Sequence, residues 1–334
     1  MAIPFFKEMR IGAYLLKQKL LGRKRYPLVL MLEPLFRCNL ACVGCGKIDY
    51  PDAILNQRMS YEQCMEAIDE YEPSPFFTWS IHLDGDKQMH DHAVDLDGTY
   101  EIAIEAIKLA KSKGFRVQVN CTVFDGANAE RLATFFDEME SLGVEITISP
   151  GYAYERAADQ EHFFNRERTR KFFRDVFARG NGGKDWTFTN SPLFLDFLAG
   201  NQTYECTPWS MPLRTIFGWQ KPCYLLGEGY VATFKELMEG TDWEKYGVGK
   251  YEKCSNCMTH CGFEGTAATD AIRHPLKMFK VGRKGVTTDG PMAPDVDLSA
   301  ARPAEDVYSS HVELELAKIK AADPEGFKRV QRVA

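Results

Sequence analysis

The stretch RCNLACVGCGK, residues 37 to 47, sets Cys38, Cys42 and Cys45 within eight positions and constrains this chain more than any other feature. Ahead of it, PLVLMLEP is a short apolar run closed by Pro34, the pattern of a buried strand, so the thiols sit on the loop that follows it. A closed structural zinc site takes four ligands, usually as two Cys pairs. Three thiolates at C-x3-C-x2-C instead suit a [4Fe-4S] cube with three irons held by protein and the fourth open to another ligand. An open iron implies chemistry; structural zinc is the bland alternative.

The N-terminus MAIPFFKEMRIGAYLLKQKLLGRKRYP interrupts its apolar positions with Lys7, Glu8, Arg10, Lys17 and Lys19, and so has neither the apolar core of a signal peptide nor a cleavage site. A cytoplasmic setting is expected, in which the ten cysteines are metal ligands or catalytic thiols rather than disulfides. LVLMLEPLF falls far short of the ~20 apolar residues of a spanning helix and carries Glu33. The net charge of −6 over 334 residues leaves no cationic excess for phosphates, and no nucleic-acid partner is expected. Residues 1–27 read as a basic amphipathic helix, with Phe5, Phe6, Met9, Leu15, Leu16 and Leu20 at helical spacing. Such a helix packs on a core, or also touches the inner membrane peripherally, since Lys and Arg beside an apolar face suit the headgroup boundary.

Residues 28–160 alternate strands and helices. TWSIHLDG alternates so that Ser80, His82 and Asp84 share one face and Ile81 and Leu83 the other. LDGTYEIAIEAIKLAKSKG reads as a helix stopped by Gly114, RVQVNCTVF as a strand, AERLATFFDEMESLG as a helix and VEITISPG as a strand. The pattern argues for a parallel sheet covered by helices, either an open layer or a partial barrel. From about residue 160 the alternation fades. Residues 161–280 read as a helical, Cys-rich extension, with a helix closed by Gly180 and a short one in SPLFLDFLAG. Residues 281–334 read as a Gly/Pro-rich linker followed by a C-terminal helix. In the extension, CSNCMTHC supplies Cys254, Cys257 and Cys261, and Cys206 or Cys223 completes a set of four for an auxiliary iron–sulfur cluster or zinc. His260 reads as a neighbour of that set rather than a ligand.

CNLACVGC after LVLMLEP resembles the signature of the radical S-adenosyl-L-methionine enzymes. The resemblance implies a partial (β/α)6 barrel in which Cys38, Cys42 and Cys45 hold the [4Fe-4S] cluster. It also implies that S-adenosyl-L-methionine binds the open iron and is cleaved to methionine and a 5'-deoxyadenosyl radical. KRYPLVLMLEPLFRCNLACVGCGKIDYP, FFTWSIHLDGDKQMHD, CYLLGEGY and CSNCMTHCGFE together resemble the adenosylhopane synthases of hopanoid lipid biosynthesis, as far as about residue 270. That family adds the radical to the terminal alkene of diploptene, a C30 hopene, and draws electrons from a reductant such as flavodoxin or ferredoxin. By resemblance, Ser80, His82, Asp84, Asn120, Tyr152, Tyr154 and Glu155 are candidates for binding the nucleoside, and Cys121 for donating hydrogen to the product radical. Their bland readings are polar residues that satisfy strand ends and, for Cys121, a small buried hydrophobe.

The chain departs from the radical S-adenosyl-L-methionine pattern in one place. The helix ending MEAIDE runs directly into YEPSPFFTWSIHLDG, which resembles the fourth strand of the family, so strands two and three and the Gly-Gly-Glu-like stretch are missing. A βαβ unit takes ~30 residues or more, so the barrel is expected to be shortened by about two strands, losing an anchor for methionine. Two further readings are a radical enzyme that modifies peptides and a non-catalytic iron–sulfur protein.

Overall fold

The computed structural model describes residues 5–26, 31–32, 51–60, 62–64, 66, 78–112, 114–153, 161–305, 307–322 and 324. Strand β1 (Met31–Leu32) is what is described of PLVLMLEP, and the loop carrying Cys38, Cys42 and Cys45 lies outside the described residues. Three strands, β2 (Trp79–His82), β3 (Val117–Val123) and β4 (Glu145–Pro150), form a parallel sheet in that order. His82 stands opposite Asn120, and Asn120 opposite Thr147.

The sheet is parallel because helices cross over between its strands. Every second residue of β3 is buried. Val117, Val119, Cys121 and Val123 join one core with Ile104 and Ile107 of helix Thr99–Ser112 and with Leu132, Phe135, Phe136 and Met139 of helix Ala129–Ser141. Fully burying such side chains stabilises the fold by about 1.5–3 kcal/mol each. Asn128 starts the second of these helices by accepting hydrogen bonds from the N–H groups of Glu130 and Arg131, at 2.9 and 3.0 Å. Gly114, at φ +81°, closes the first. A helix not anticipated from sequence, Lys87–Val94, precedes them. Asp86 caps it and also pairs with Arg131, 2.6 Å away.

The alternation continues past residue 160. Helix Arg166–Arg179 crosses back, and residues 187–189 extend the sheet beside β4: Ile146 N–H donates to Thr187 O at 2.9 Å, and Thr189 N–H donates to Ile146 O at 2.8 Å. The signal was present in sequence, since WTFTN alternates Trp186 and Phe188 inward with Thr187 and Thr189. At three residues it was too short to stand out. Its buried rings pack edge-on with Phe136 and Phe177.

A second sheet orders β1, β5 (Leu213–Thr215), β6 (Gly218–Pro222) and β7 (Gly227–Val231). β1 is parallel to β5, and the other pairs are antiparallel. Among the described residues β1 and β2 share no ladder. The fold is thus α/β with a parallel sheet, followed by a hairpin extension that returns to the first strand. Of the segment read as a linker, residues 281–284 end helix Pro275–Lys284. Residues 286–305 run over the body as a strap. Asp295 accepts from Arg166 at 2.9 Å, and the carbonyls of Gly290 and Pro294 accept from Arg174 and Thr203.

Candidate functional site

The face of the parallel sheet opposite the helices is polar. Pairing in register places Ser80 and His82, then Gln118, Asn120 and Thr122, then Glu145, Thr147 and Ser149 on it, rank beside rank. Gln118 donates to Ser80 Oγ at 3.3 Å, and Thr147 and Thr189 share a hydrogen bond at the far edge. In a barrel this face turns inward, and its C-terminal end is where ligands are gripped.

Asp84, 6% exposed just beyond β2, organises that end. One carboxylate oxygen accepts from Thr122 N–H at 2.8 Å, and the other lies 2.8 Å from His82 Nε2. Its own N–H donates to His90 Nδ1 at 3.3 Å. Protein crowding desolvates the His82 ring, 44% exposed, and pushes its pKa down. The Asp84 charge and hydrogen bond outweigh this, and the net shift is upward. For His90 the balance goes the other way: it is buried, and desolvation outweighs the charges of Asp84 and Asp91 and holds its pKa below the usual histidine value. Since its Nδ1 accepts, its Nε2 carries the proton, and that atom has no hydrogen-bond partner among the described residues.

Asn120 is half-buried on the polar face, one position from Cys121, which is fully buried on the opposite face. Burial, then the Asp84 charge, pushes the Cys121 thiol well up. Tyr152 follows β4. Its hydroxyl donates to Lys253 O at 3.0 Å, and it packs on the small core of Met211, Leu225 and Cys261 that Cys223 and Cys257 also join, which sets it beside the second cysteine group. Tyr154 and Glu155 lie outside the described residues.

That cysteine group adjoins the same end of the sheet. Ser149, on β4, accepts at 3.2 Å from the N–H of His260, the first residue of helix His260–Arg273. The thiols of Cys206, Cys223, Cys254, Cys257 and Cys261 lie near enough to one another to interact electrostatically. Burial raises the pKa of each, and the neighbouring sulfurs push further on all but Cys257; Cys223 rises to about 12. On Cys257, the Thr259 hydroxyl and N–H and the Arg166 charge work against burial. The Thr259 hydroxyl lies 3.3 Å from Cys257 Sγ and 3.0 Å from Cys261 Sγ. Packing is tight: a Cβ on Gly262 would stand 2.6 Å from Cys206 Sγ. His260 is not exposed, its Nδ1 has no partner among the described residues, and burial pushes its pKa down to about 4.

Among the described residues no three His, Cys, Asp or Glu side chains close around a single metal ion. Buried thiols are costly to ionise unless a metal takes the charge, and hydroxyl and amide donors around the sulfurs are the groups that tune iron–sulfur centres.

Residues 146–281 match a family described as a domain of unknown function, DUF3463. No curated protein matches the chain. Among solved structures, anSMEcpe with bound AdoMet is similar over 77% of this chain and 100% of its own, at 14% identity and a TM-score of 0.52. The same protein with AdoMet and the Kp18Cys peptide matches over 77% and 99%, also at 14% identity and 0.52. Streptococcus suis SuiB bound to S-adenosylmethionine covers 60% of this chain and 61% of its own, at 12% identity and 0.45, too distant to carry an argument. The likeness is one of fold: this chain shares the α/β architecture, with its parallel sheet, of that AdoMet-bound protein.

Proposed function

We propose that the chain is a radical S-adenosyl-L-methionine enzyme of hopanoid lipid biosynthesis, joining an adenosyl group to the terminal alkene of diploptene. The observation that carries the enzyme reading is the fold shared with an AdoMet-bound protein along that protein's whole length. The hopanoid assignment rests on the sequence resemblance at residues 24–51, 76–91, 223–230 and 254–264. When bound at Cys38, Cys42 and Cys45, the cluster and S-adenosyl-L-methionine supply a 5'-deoxyadenosyl radical.

The residues of this chain bind and orient. Ser80, His82 and Asn120 present donors and acceptors toward the nucleoside from the polar face. Asp84 fixes His82 by accepting from its Nε2, and is itself fixed by Thr122 N–H. Tyr152 seats the cysteine-rich extension on the end of the sheet. Cys206, Cys223, Cys254, Cys257 and Cys261 are the candidate ligands of the auxiliary site, an iron–sulfur cluster or zinc, and the hydroxyl of Thr259 beside two of the sulfurs suits an iron–sulfur centre. A flavodoxin or ferredoxin supplies the electrons, and the tertiary radical left by C–C bond formation receives a hydrogen, or an electron and a proton.

A second reading, peptide modification, is favoured by the peptide held in the matching anSMEcpe structure. Anaerobic reconstitution, dithionite reduction and incubation with S-adenosyl-L-methionine plus diploptene or a peptide extract separates the two by product mass. The expected product is adenosylhopane. A modified peptide would replace the lipid reading. Clusters without any 5'-deoxyadenosine would leave a non-catalytic iron–sulfur protein.

A further inference from the structure

Helix Pro275–Lys284, PLKMFKVGRK, shows solvent the wrong side chains for a surface helix. Leu276 is 83% exposed and Phe279 62%, with Ile272 one turn earlier at 39%. The helix is not short of a hydrophobic partner, because its other side already has one: Met278 and Val281 pack on the main core, and Gly282 faces Pro192. At 100° per residue, Leu276, Phe279, Lys280 and Arg283 share one outward arc. A second apolar stripe, interleaved with cations, therefore faces away from the protein.

The charge around the stripe is one-sided. Residues 271–285 contain no Asp or Glu, although the whole chain carries a net −6. Lys277 is held inward by Asp270 at 2.5 Å. Lys280, Arg283 and Lys284 have no ion-pair partner among the described residues. Both ends of the helix are fixed, by His274 on Asp270 at 2.7 Å and by Val286 N–H on Gly182 O at 2.9 Å. The outward face is therefore already ordered before it meets anything, which removes the ordering cost that weakens flexible peptides.

We propose that this helix docks the protein on an anionic lipid bilayer, with Leu276 and Phe279 entering the headgroup boundary while Lys280, Arg283 and Lys284 meet lipid phosphates. Interfacial helices bind by this combination of modest apolar burial and basic charge. A protein partner with an acidic groove would match the cations, but an apolar stripe interleaved with cations, with no polar uncharged group between them, suits a surface that is anionic outside and apolar just beneath. The proposal concerns a surface and does not require the substrate to be a lipid.

The test is co-sedimentation of the full chain with vesicles of equimolar phosphatidylglycerol and phosphatidylcholine, or of phosphatidylcholine alone. It is read without cofactor or substrate, so its outcome is separate from that of the activity assay. The expected result is binding to the anionic vesicles only, weakened by salt near 0.5 M, where screening is confined to a few ångströms. The triple charge reversal Lys280→Glu, Arg283→Glu, Lys284→Glu should lower partitioning about a hundredfold or more, at roughly fivefold per cation lost with the repulsion of the new carboxylates in addition. Leu276→Ser with Phe279→Ser should lower it tenfold or more, and both variants should keep the wild-type circular dichroism. Binding to phosphatidylcholine alone as strong as to anionic vesicles would overturn the proposal. So would binding lost only in Leu16→Ser with Leu20→Ser, which would place the contact on the N-terminal helix. Self-association abolished by the Leu276/Phe279 change, with no vesicle binding, would make the face an interface between copies and equally refute it.

Discussion

Replacing Gly262 with Ala should separate the stability of the fold from the filling of its cysteine site. The added Cβ would lie 2.6 Å from Cys206 Sγ, while the next atom, Cys206 Cβ, is 3.9 Å away. Only the sulfur must move, and it can do so by rotation about χ1, at roughly 0.5–1.5 kcal/mol if the new position is off-rotamer. Against this, Ala is favoured over Gly in a helix by up to about 1 kcal/mol, and residue 262 lies within helix His260–Arg273. The two effects nearly cancel. The metal-free protein should melt within about 2–4 °C of wild type, the shift that ~1 kcal/mol produces in a chain of this order of size. If Cys206 is one of the four ligands the metal site should respond differently, because the displaced sulfur leaves its place in the ligand set. Iron and sulfide per chain after anaerobic reconstitution should fall by the content of one cluster, with the matching visible absorbance. If iron and absorbance equal wild type, Cys206 is not a ligand and the reasoning fails. If the metal-free protein instead loses ten degrees or more, the clash is with backbone and the rotation argument is wrong.

Gly180→Ala makes the opposite case. Its Cβ would meet the Trp186 ring at 2.4 Å, and that ring is wedged against Phe136 and Phe188, so thermal unfolding should reveal about 1–3 kcal/mol of destabilisation or more. The His82–Asp84 pair should stabilise the fold at mildly acidic pH. The folded-state pKa of His82 is raised, so its contribution is complete below about 6.5 and is lost as pH rises through the folded value. With the ring 44% exposed, the effect is below ~1 kcal/mol, and the melting-temperature gap between wild type and His82→Gln should shrink to nothing at alkaline pH. A gap that widens with pH would contradict the pairing. Cys42→Ala should remove one cluster's iron while leaving that of the Cys254 group in place, and unchanged iron and spectrum would exclude Cys42 as a ligand.

Sequence periodicity speaks for the parts of this molecule whose environment differs from one residue to the next. β3 has helices on one face and polar, half-buried residues on the other, so VQVNCTV alternates, and its seven residues could be placed from pattern alone. The extension hides its strands because its sheet is buried on both sides around β5 and the start of β6, where Leu213, Arg214, Thr215, Gly218, Trp219 and Gln220 are all buried and no alternation survives. Arg214 and Gln220 there turn to backbone carbonyls instead of solvent, Gln220 reaching Cys223 O at 3.0 Å and Tyr224 O at 2.9 Å. These polar residues break the apolar run that would mark a buried strand, and they do so for a structural purpose: they hold the turn that carries Cys223. The cysteine spacing shows a similar division. C-x2-C-x3-C is local and legible, whereas choosing between Cys206 and Cys223 requires knowing which long loop closes on helix His260–Arg273. Both loops close. Thr207 N–H donates to Gly262 O at 2.7 Å, and Cys223 packs against Cys257. Five thiols then compete for four positions. The Leu225 and Leu226 N–H groups and the Thr259 hydroxyl favour the thiolates of Cys223, Cys257 and Cys261, whereas only burial and repulsion act on Cys206. A series of single Cys→Ser variants should therefore lose iron least at Cys206 if amide and hydroxyl donors select the ligands, and least at Cys223 if proximity to Gly262 does.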